Sequence, residues 1–184
     1  MKPALPRLSW SREREKMDAQ TRVQSEVQQL VRIHGRTRTA LMPVLQDINR
    51  AHSYISEDAM LCVAKELGVP RAEVYGVATF YSFLSVKPRG KYVIRMCQTI
   101  SCAKQSKFEP VIATLLEELG IKFGETTKDE LFTLEHTNCN GMCDQGPAIL
   151  INDDVHVKLT ESSVRTILNN YRRKAGTDGR SANA

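Results

Sequence analysis

Two short cysteine pairs constrain this chain more than any other feature of its sequence. Cys97 and Cys102 are separated by four residues, and Cys139 and Cys143 are separated by three. Each pair directly follows an apolar run with the composition of a β-strand. Thiols grouped in two close pairs are typical of four ligands that converge on one metal centre.

Four kinds of site compete for these thiols. Disulfides are disfavoured because the N-terminal residues show no apolar run of a secretory signal peptide, and disulfides are rare in a reducing interior. A redox dithiol calls for two residues between the thiols, and neither pair has that spacing. Structural zinc fits both spacings, but such sites usually lie in small segments that lack another core. An iron–sulfur cluster fits the thiolate set, although the separation of the pairs does not match the plant-type ferredoxin pattern.

Residues near the second pair bear on the choice between zinc and iron–sulfur. Gly141 and Gly146 would let backbone N–H groups approach the sulfur atoms of a cluster and raise its reduction potential. Asp144 is the nearest negative charge and would lower that potential if it faced the site. His136 precedes Cys139 by three residues and is predicted to be a sheet-edge histidine. Both kinds of metal site stay open on these residues alone.

The cysteine spacings, taken together, resemble a known family. Cys97-x4-Cys102 followed by Cys139-x3-Cys143 is similar to the thioredoxin-like 2Fe–2S subunit of NADH:ubiquinone oxidoreductase. Relatives of that subunit occur in NAD(P)-linked soluble hydrogenases and formate dehydrogenases. The run over residues 139–148 most resembles this hydrogenase and formate dehydrogenase branch.

A second stretch, upstream of the cysteines, extends the resemblance. Residues 76–83, which read GVATFYSF, are also similar to the family, and the likeness runs from about Leu41 to Tyr171. One departure lies in residues 103–106, where many members carry a glycine and this chain has none. The shape of that loop is therefore expected to differ, whereas the ligand set is not.

The resemblance implies a cofactor, a ligand set and partners. One 2Fe–2S cluster per chain would be held by Cys97, Cys102, Cys139 and Cys143, and no residue would be catalytic. The chain would be an electron-transfer subunit of a soluble NAD(P)-linked complex of the hydrogenase, formate dehydrogenase or NADH dehydrogenase type. Its partners would be a flavin- and NAD(P)-binding subunit and a hydrogenase or formate dehydrogenase catalytic subunit. The alternatives are a free-standing thioredoxin-like ferredoxin and a zinc-stabilised interaction module.

The apolar periodicity predicts an α/β chain with an N-terminal helical bundle and a following α/β domain. The order of elements in that domain is consistent with the thioredoxin-like fold that the resemblance implies. The expected boundaries are a flexible basic arm over 1–17, the bundle over 18–86, the 2Fe–2S domain over 87–172 and a flexible tail over 173–184. In the second half, two strands end just before the cysteine pairs. If these strands are parallel neighbours, both loops open on the same edge of the sheet.

Several local features of the predicted elements can be checked individually. Ser56 is expected to cap the third helix, a helix is expected from about Ser106, and a hairpin is expected to turn at Asp153–Asp154. Cys62 lies inside the third helix and is interpreted as a small apolar residue. The run Phe80–Leu84, called here the aromatic strip, is interpreted either as core or as a docking surface for a larger subunit.

Composition limits the remaining classes of function. Hydrophobic residues make up 41% and charged residues 26% of the chain, which is ordinary for a globular protein. The net charge of +5 lies largely near the two ends, without a helix-turn-helix signal or an aromatic platform, so nucleic-acid binding is not expected. No apolar run approaches the ~20 residues of a membrane span. A cytoplasmic location is expected. The sequence contains no G-x-G-x-x-G run, so the chain itself is not expected to bind a nucleotide.

Overall fold

The structure, a computed structural model, describes the backbone of residues 8–181 and the side chains of residues 17–176 except residue 19. The backbone divides into two compact units between Pro88 and Arg89. The first seven residues of the predicted arm and the last three of the predicted tail lie outside the described residues. Across the described chain, the helices are all too short or too polar to cross a membrane.

Within residues 8–88, the first unit contains four α-helices, as predicted. They are α1 (Leu8–His34), α2 (Leu41–His52), α3 (Glu57–Leu67) and α4 (Arg71–Phe80), and a 3₁₀ turn at Arg38–Ala40 precedes α2. Each helix contributes apolar side chains to one core, and the most deeply buried include Val31, Val44, Leu45, Val63 and Val74. Burial of such side chains is the main favourable term in folding a bundle of this kind.

The start of α3 follows the predicted cap, whereas the start of α1 does not follow the predicted boundary. The hydroxyl of Ser56 accepts a hydrogen bond from the N–H of Ala59 at 3.2 Å. The first helix begins at Leu8, ten residues before the predicted boundary at residue 18. That boundary lay just ahead of a helical stripe of apolar residues at Val23, Val27, Leu30 and Val31. The stripe marks where the helix can pack on a core, whereas the Arg, Glu and Lys residues before it favour a longer helix by their high intrinsic helix propensity.

The aromatic strip begins at the last residue of α4, and its three rings are exposed. Phe80 is 80% exposed, Tyr81 46% and Phe83 52%, whereas Leu84 is buried in the core of the first unit. The interpretation of these residues as core is therefore wrong for the three rings and right for Leu84. Their use as a docking surface stays a prediction.

The second unit is built on a four-stranded sheet with the order β2–β1–β3–β4. Its strands are β1 (Tyr92–Cys97), β2 (Phe132–Thr137), β3 (Ile149–Ile151) and β4 (Asp154–His156), and its helices are α5 (Ile100–Ala103), α6 (Phe108–Leu119) and α7 (Glu161–Ser181). Strands β1 and β2 are parallel neighbours, which is the condition under which the two cysteine loops were expected to open together, and β3 runs antiparallel to β1 and β4. Side chains of α6 and α7 share one apolar core with the sheet. This arrangement confirms the predicted α/β class.

Four details of the second unit differ from the sequence predictions. The short helix α5 was not predicted, α6 begins at Phe108, and α7 continues beyond residue 172 to Ser181. The hairpin turns at Asn152–Asp153, one residue earlier than predicted, because Ile151 pairs with Asp154. Asn152 has a φ of 52°, which asparagine tolerates better than most residues, and its side chain bonds the backbone of Val93 and Lys91.

Candidate metal centre

The two cysteine loops begin side by side because their strands are parallel neighbours. Cys97 is the last residue of β1 and pairs in register with Thr137, the last residue of β2. Beyond the strands, the N–H of Gln98 donates to the carbonyl of Thr137 at 3.2 Å. Cys139 follows two residues later. The loops therefore open at the same edge of the sheet, as the sequence predicted.

The first loop folds back on itself around Thr99. Cys102 lies in α5, and its N–H donates to the carbonyl of Thr99 at 3.0 Å. The hydroxyl of Thr99 lies 3.2 Å from Sγ of Cys97, within hydrogen-bond reach of a sulfur acceptor. Cys97 and Cys102 are only 2% and 3% exposed. The short helix that sequence analysis missed is thus the element that returns the second thiol to the first.

The second loop presents its thiols at the surface. Sγ of Cys139 lies 3.3 Å from Sγ of Cys143, and both residues are exposed. The N–H of Gly141 donates to Sγ of Cys139 at 3.3 Å. Gly141 has a φ of 82°, a conformation that a side chain would make costly. This is the N–H-to-sulfur contact that was predicted for Gly141.

Thiols of the two loops also influence one another, as their pKa shifts show. Burial, followed by hydrogen bonding to Cys97, raises the pKa of Cys102 to about 11. Burial also acts to raise the pKa of Cys97, but hydrogen bonds from Thr99, Cys102 and the backbone of Asn140 outweigh it, and the pKa is lowered. The pKa of Cys143 is raised, first by Cys139 and further by Cys97. All four side chains therefore belong to one group of interacting thiols.

The residues present fit a 2Fe–2S cluster. Thiolate sulfur is the ligand of such clusters, and N–H groups aimed at the sulfurs are the usual means of tuning them. The side-chain amide of Asn140 is buried and has no hydrogen-bond partner among the residues that the structure describes, so Nδ2 could donate to sulfur of a bound cluster. Within residues 17–176, no three His, Cys, Asp or Glu side chains are grouped as ligands of a single metal ion.

Three other residues named in the sequence analysis, His136, Cys62 and Gly146, have neighbours other than the four thiols. His136 is exposed on the edge strand β2 and stacks on Phe123 with 3.6 Å between ring centroids, which agrees with the sheet-edge prediction. Cys62 belongs to α3 of the first unit, where burial raises the pKa of its thiol. A Cβ on Gly146 would meet the side chain of Gln105, so the space at Gly146 accommodates that amide.

Sequence reasoning missed three residues that shape the centre: Thr99, Gln105 and the side chain of Asn140. Thr99 stands at the start of α5 with an extended backbone, φ −68° and ψ 154°, and a threonine three residues before Cys102 was a usable signal for a helix start. The contact between Gln105 and the second loop joins positions 38 residues apart, so a local sequence pattern cannot predict it.

Comparison with known proteins identifies the family. The family model described as "Thioredoxin-like [2Fe-2S] ferredoxin" matches residues 27–172. The chain belongs to this family. Members of the thioredoxin-like 2Fe–2S family carry one 2Fe–2S cluster, which confirms the predicted cofactor class.

Curated relatives and solved structures agree with this membership. One relative, a subunit of the NADH-quinone oxidoreductase of Escherichia coli (strain K12), is 36% identical over 135 residues, which cover 73% of this chain and 81% of the relative. The corresponding protein of Salmonella typhimurium (strain LT2) has the same identity and coverage. A chain of NAD+-reducing [NiFe]-hydrogenase in the air-oxidized state matches the fold with a TM-score of 0.62 at 22% identity, over 73% of this chain and 23% of that chain. The present chain thus spans about a quarter of the hydrogenase chain.

Proposed function

We propose that this chain is an electron-transfer subunit of an NAD(P)-linked oxidoreductase complex, with one 2Fe–2S cluster held by Cys97, Cys102, Cys139 and Cys143. A bound 2Fe–2S cluster takes up and releases one electron at a time. The observation that carries the proposal is the convergence of four thiols from two loops at one edge of a sheet. The names of the relatives, a subunit of NADH-quinone oxidoreductase and a NAD+-reducing hydrogenase, support the class of complex.

The two pairs of thiols have different tasks in this proposal. Cys97 and Cys102 are buried and exclude water from one side of the centre. Cys139 and Cys143 are exposed, which leaves the other side open to a partner. Because electron transfer requires close approach, the exposed pair marks the side on which electrons are exchanged.

The partner in this proposal is a flavin- and NAD(P)-binding subunit, alongside a hydrogenase or formate dehydrogenase catalytic subunit. The exposed rings of the aromatic strip offer an apolar contact area on the first unit, since large apolar patches often mark interaction sites. A reducing compartment such as the cytoplasm is part of this proposal, because disulfides are rare there and cysteine thiolates stay available as ligands.

The test is the metal and sulfide content of the anaerobically purified chain, combined with its visible spectrum. We expect a red-brown protein with two irons and two sulfides per chain, and an EPR signal from one unpaired electron after reduction. A colourless protein with about one zinc per chain would overturn the proposal and support the interaction module.

A second measurement separates a subunit from a diffusible carrier. The tagged chain is expressed with the genes for candidate flavoprotein partners and purified in one step at moderate salt. Stable co-purification of flavin, together with reduction of the iron–sulfur signal by NADH or NADPH, supports the subunit. A chain that stays alone and exchanges electrons only by diffusion would support the free-standing ferredoxin.

A further inference from the structure

We infer that Gln105 is a positioning residue that fastens the second cysteine loop to the first, an interaction called here the loop clamp. The clamp is a property of the folded chain, and its bearing on a cluster rests on the proposed function. Gln105 lies in the stretch, residues 103–106, where the sequence departs from the family pattern.

The backbone of Gln105 is fixed to the first loop. Its N–H donates to the carbonyl of Cys102 at 3.1 Å, and its own carbonyl accepts from the N–H of Phe108 at the start of α6. The side chain then reaches the second loop, where Nε2 donates to the carbonyl of Cys143 at 3.2 Å. One residue thus links the neighbourhood of a buried thiol to the backbone of an exposed one.

Gly146 provides the space for this amide. A Cβ at position 146 would overlap Oε1 and Nε2 of Gln105, closer than atoms approach one another. The backbone of Gly146 has φ −71° and ψ 169°, values that any residue adopts and that suit a residue before Pro147. The glycine therefore leaves room for the amide of Gln105 in its observed position, and its own conformation does not call for glycine.

The clamp matters because each cysteine loop supplies one pair of ligands. The distance between the pairs must stay fixed if both irons of a cluster are to keep their coordination, and ligand positions are held by such surrounding contacts. The second loop is exposed and has a single 3₁₀ turn, Cys143–Gln145, as its regular structure. Loss of one hydrogen bond should therefore speed opening of this loop roughly fivefold.

Two substitutions break the clamp by different routes. Gln105→Met keeps the length of the side chain and removes its donor. Gly146→Ala leaves Gln105 intact but occupies the space of its amide, and the flexible end of that side chain can yield at little other cost. Gln98→Met is the matched control, because Gln98 is an exposed residue of the first loop whose side chain makes no hydrogen bond in the described part of the chain.

The experiment measures backbone hydrogen exchange over residues 140–146 in the purified full-length chain, whatever metal it holds. We expect exchange roughly fivefold faster in Gln105→Met and Gly146→Ala than in the wild type and Gln98→Met. The double variant should match the single ones, because both remove the same contact. Wild-type exchange in both single variants, or equal acceleration in Gln98→Met, would overturn the clamp.

The link to the cluster has its own readouts on the same proteins. Cluster loss to an iron chelator should be several-fold faster in both clamp variants, and their EPR g values should shift while the melting temperature of the chain does not. If exchange accelerates but chelation and g values stay at wild-type levels, the positioning role is wrong although the contact exists. If the wild type holds no iron, the proposed function fails and the exchange data still decide the clamp.

Discussion

Thr99 Oγ1 lies 3.2 Å from Sγ of Cys97, so a hydroxyl two residues along the chain is paired with a buried thiol. When the sulfur is a thiolate, the hydroxyl is the donor, because a thiolate only accepts. Hydrogen bonds to ligand sulfurs stabilise the more negative, reduced state of an iron–sulfur centre. This pair of atoms therefore connects a single side chain to the reduction potential of the proposed centre.

Replacing Thr99 by valine is expected to lower the midpoint potential. Valine keeps the shape of threonine and removes the donor. About 1 kcal/mol of hydrogen-bond strength corresponds to roughly 40 mV for a one-electron couple. A redox titration followed by EPR measures the change. Thr99→Ser, which retains the hydroxyl, should stay near the wild-type potential, and equal shifts in both variants would contradict the assignment.

Removing the charge of Glu135 should destabilise the second unit. Glu135 contacts Arg89 at 2.6 Å and lies 3.6 Å from Nε of Arg95, and both guanidinium groups are largely buried. Burial lowers the pKa of each arginine, and Glu135 acts in the opposite direction. Glu135→Gln leaves two buried cations without this carboxylate, at a cost of roughly 3 kcal/mol in the free energy of unfolding by urea.

The matched control for that substitution is Glu117→Gln. Glu117 lies 3.3 Å from Arg165, but its side chain is 72% exposed. Exposed ion pairs contribute less than about 1 kcal/mol, so this variant should unfold close to the wild-type urea concentration. Similar losses in the two variants would show that burial does not set the strength of the Glu135 contacts.

The hydroxyl of Tyr171 is expected to make stability fall at high pH. It donates to Oδ2 of Asp154 at 2.6 Å, and burial, followed by Asp154, raises the pKa of Tyr171. The unfolded chain deprotonates at the ordinary value of about 10, so this contribution is complete below pH 10 and is lost as pH rises above it. Tyr171→Phe should cost about 1–2 kcal/mol at pH 7, and the difference from the wild type should shrink in alkaline buffer.

Urea unfolding of both proteins at pH 7 and above pH 10 measures this effect. Tyr92→Phe is the control, because the ring of Tyr92 lies 4.7 Å from that of Tyr171 while its hydroxyl makes no hydrogen bond among the described residues. A pH-independent difference between the wild type and Tyr171→Phe would contradict the role of the hydroxyl.

Serine substitutions separate the four proposed ligands from the fifth cysteine. Cys139→Ser should lose or distort the cluster, because serine oxygen replaces a thiolate at the proposed centre. Cys62→Ser should retain two irons per chain, because Cys62 lies in α3 of the first unit. Iron content and the visible spectrum are measured on both. A Cys62→Ser protein as pale as Cys139→Ser would show that the ligand assignment is wrong.

Much of the fold was predictable from the sequence because its signals are local. The strands before Cys97 and Cys139 show as apolar runs, and the cap at Ser56 follows from a side chain and the N–H three residues later. The sequence also indicated that both loops would open at one edge of the sheet if those strands were parallel neighbours, and the structure supplies that condition. The family resemblance added the cofactor class, which the residues alone left open against zinc.

What the sequence did not show depends on contacts between distant positions. The helix α5 has only four residues, too few for an apolar period, and Asn152 takes the hairpin turn because its amide bonds the start of β1. The bond from Gln105 to Cys143 likewise joins two loops that only the sheet brings together. Such features depend on tertiary contacts, which local sequence preferences do not predict.

The unequal burial of the two cysteine pairs also bears on how the protein acquires its inorganic part. If the four thiols hold the cluster as proposed, a donor of iron and sulfide would meet Cys139 and Cys143 first, because Cys97 and Cys102 are 2% and 3% exposed. Biogenesis is thus expected to begin with capture at the surface and to end with ligation at the inner thiols. The exposed second loop would then be the site where iron and sulfide are first bound as well as the site where electrons are exchanged.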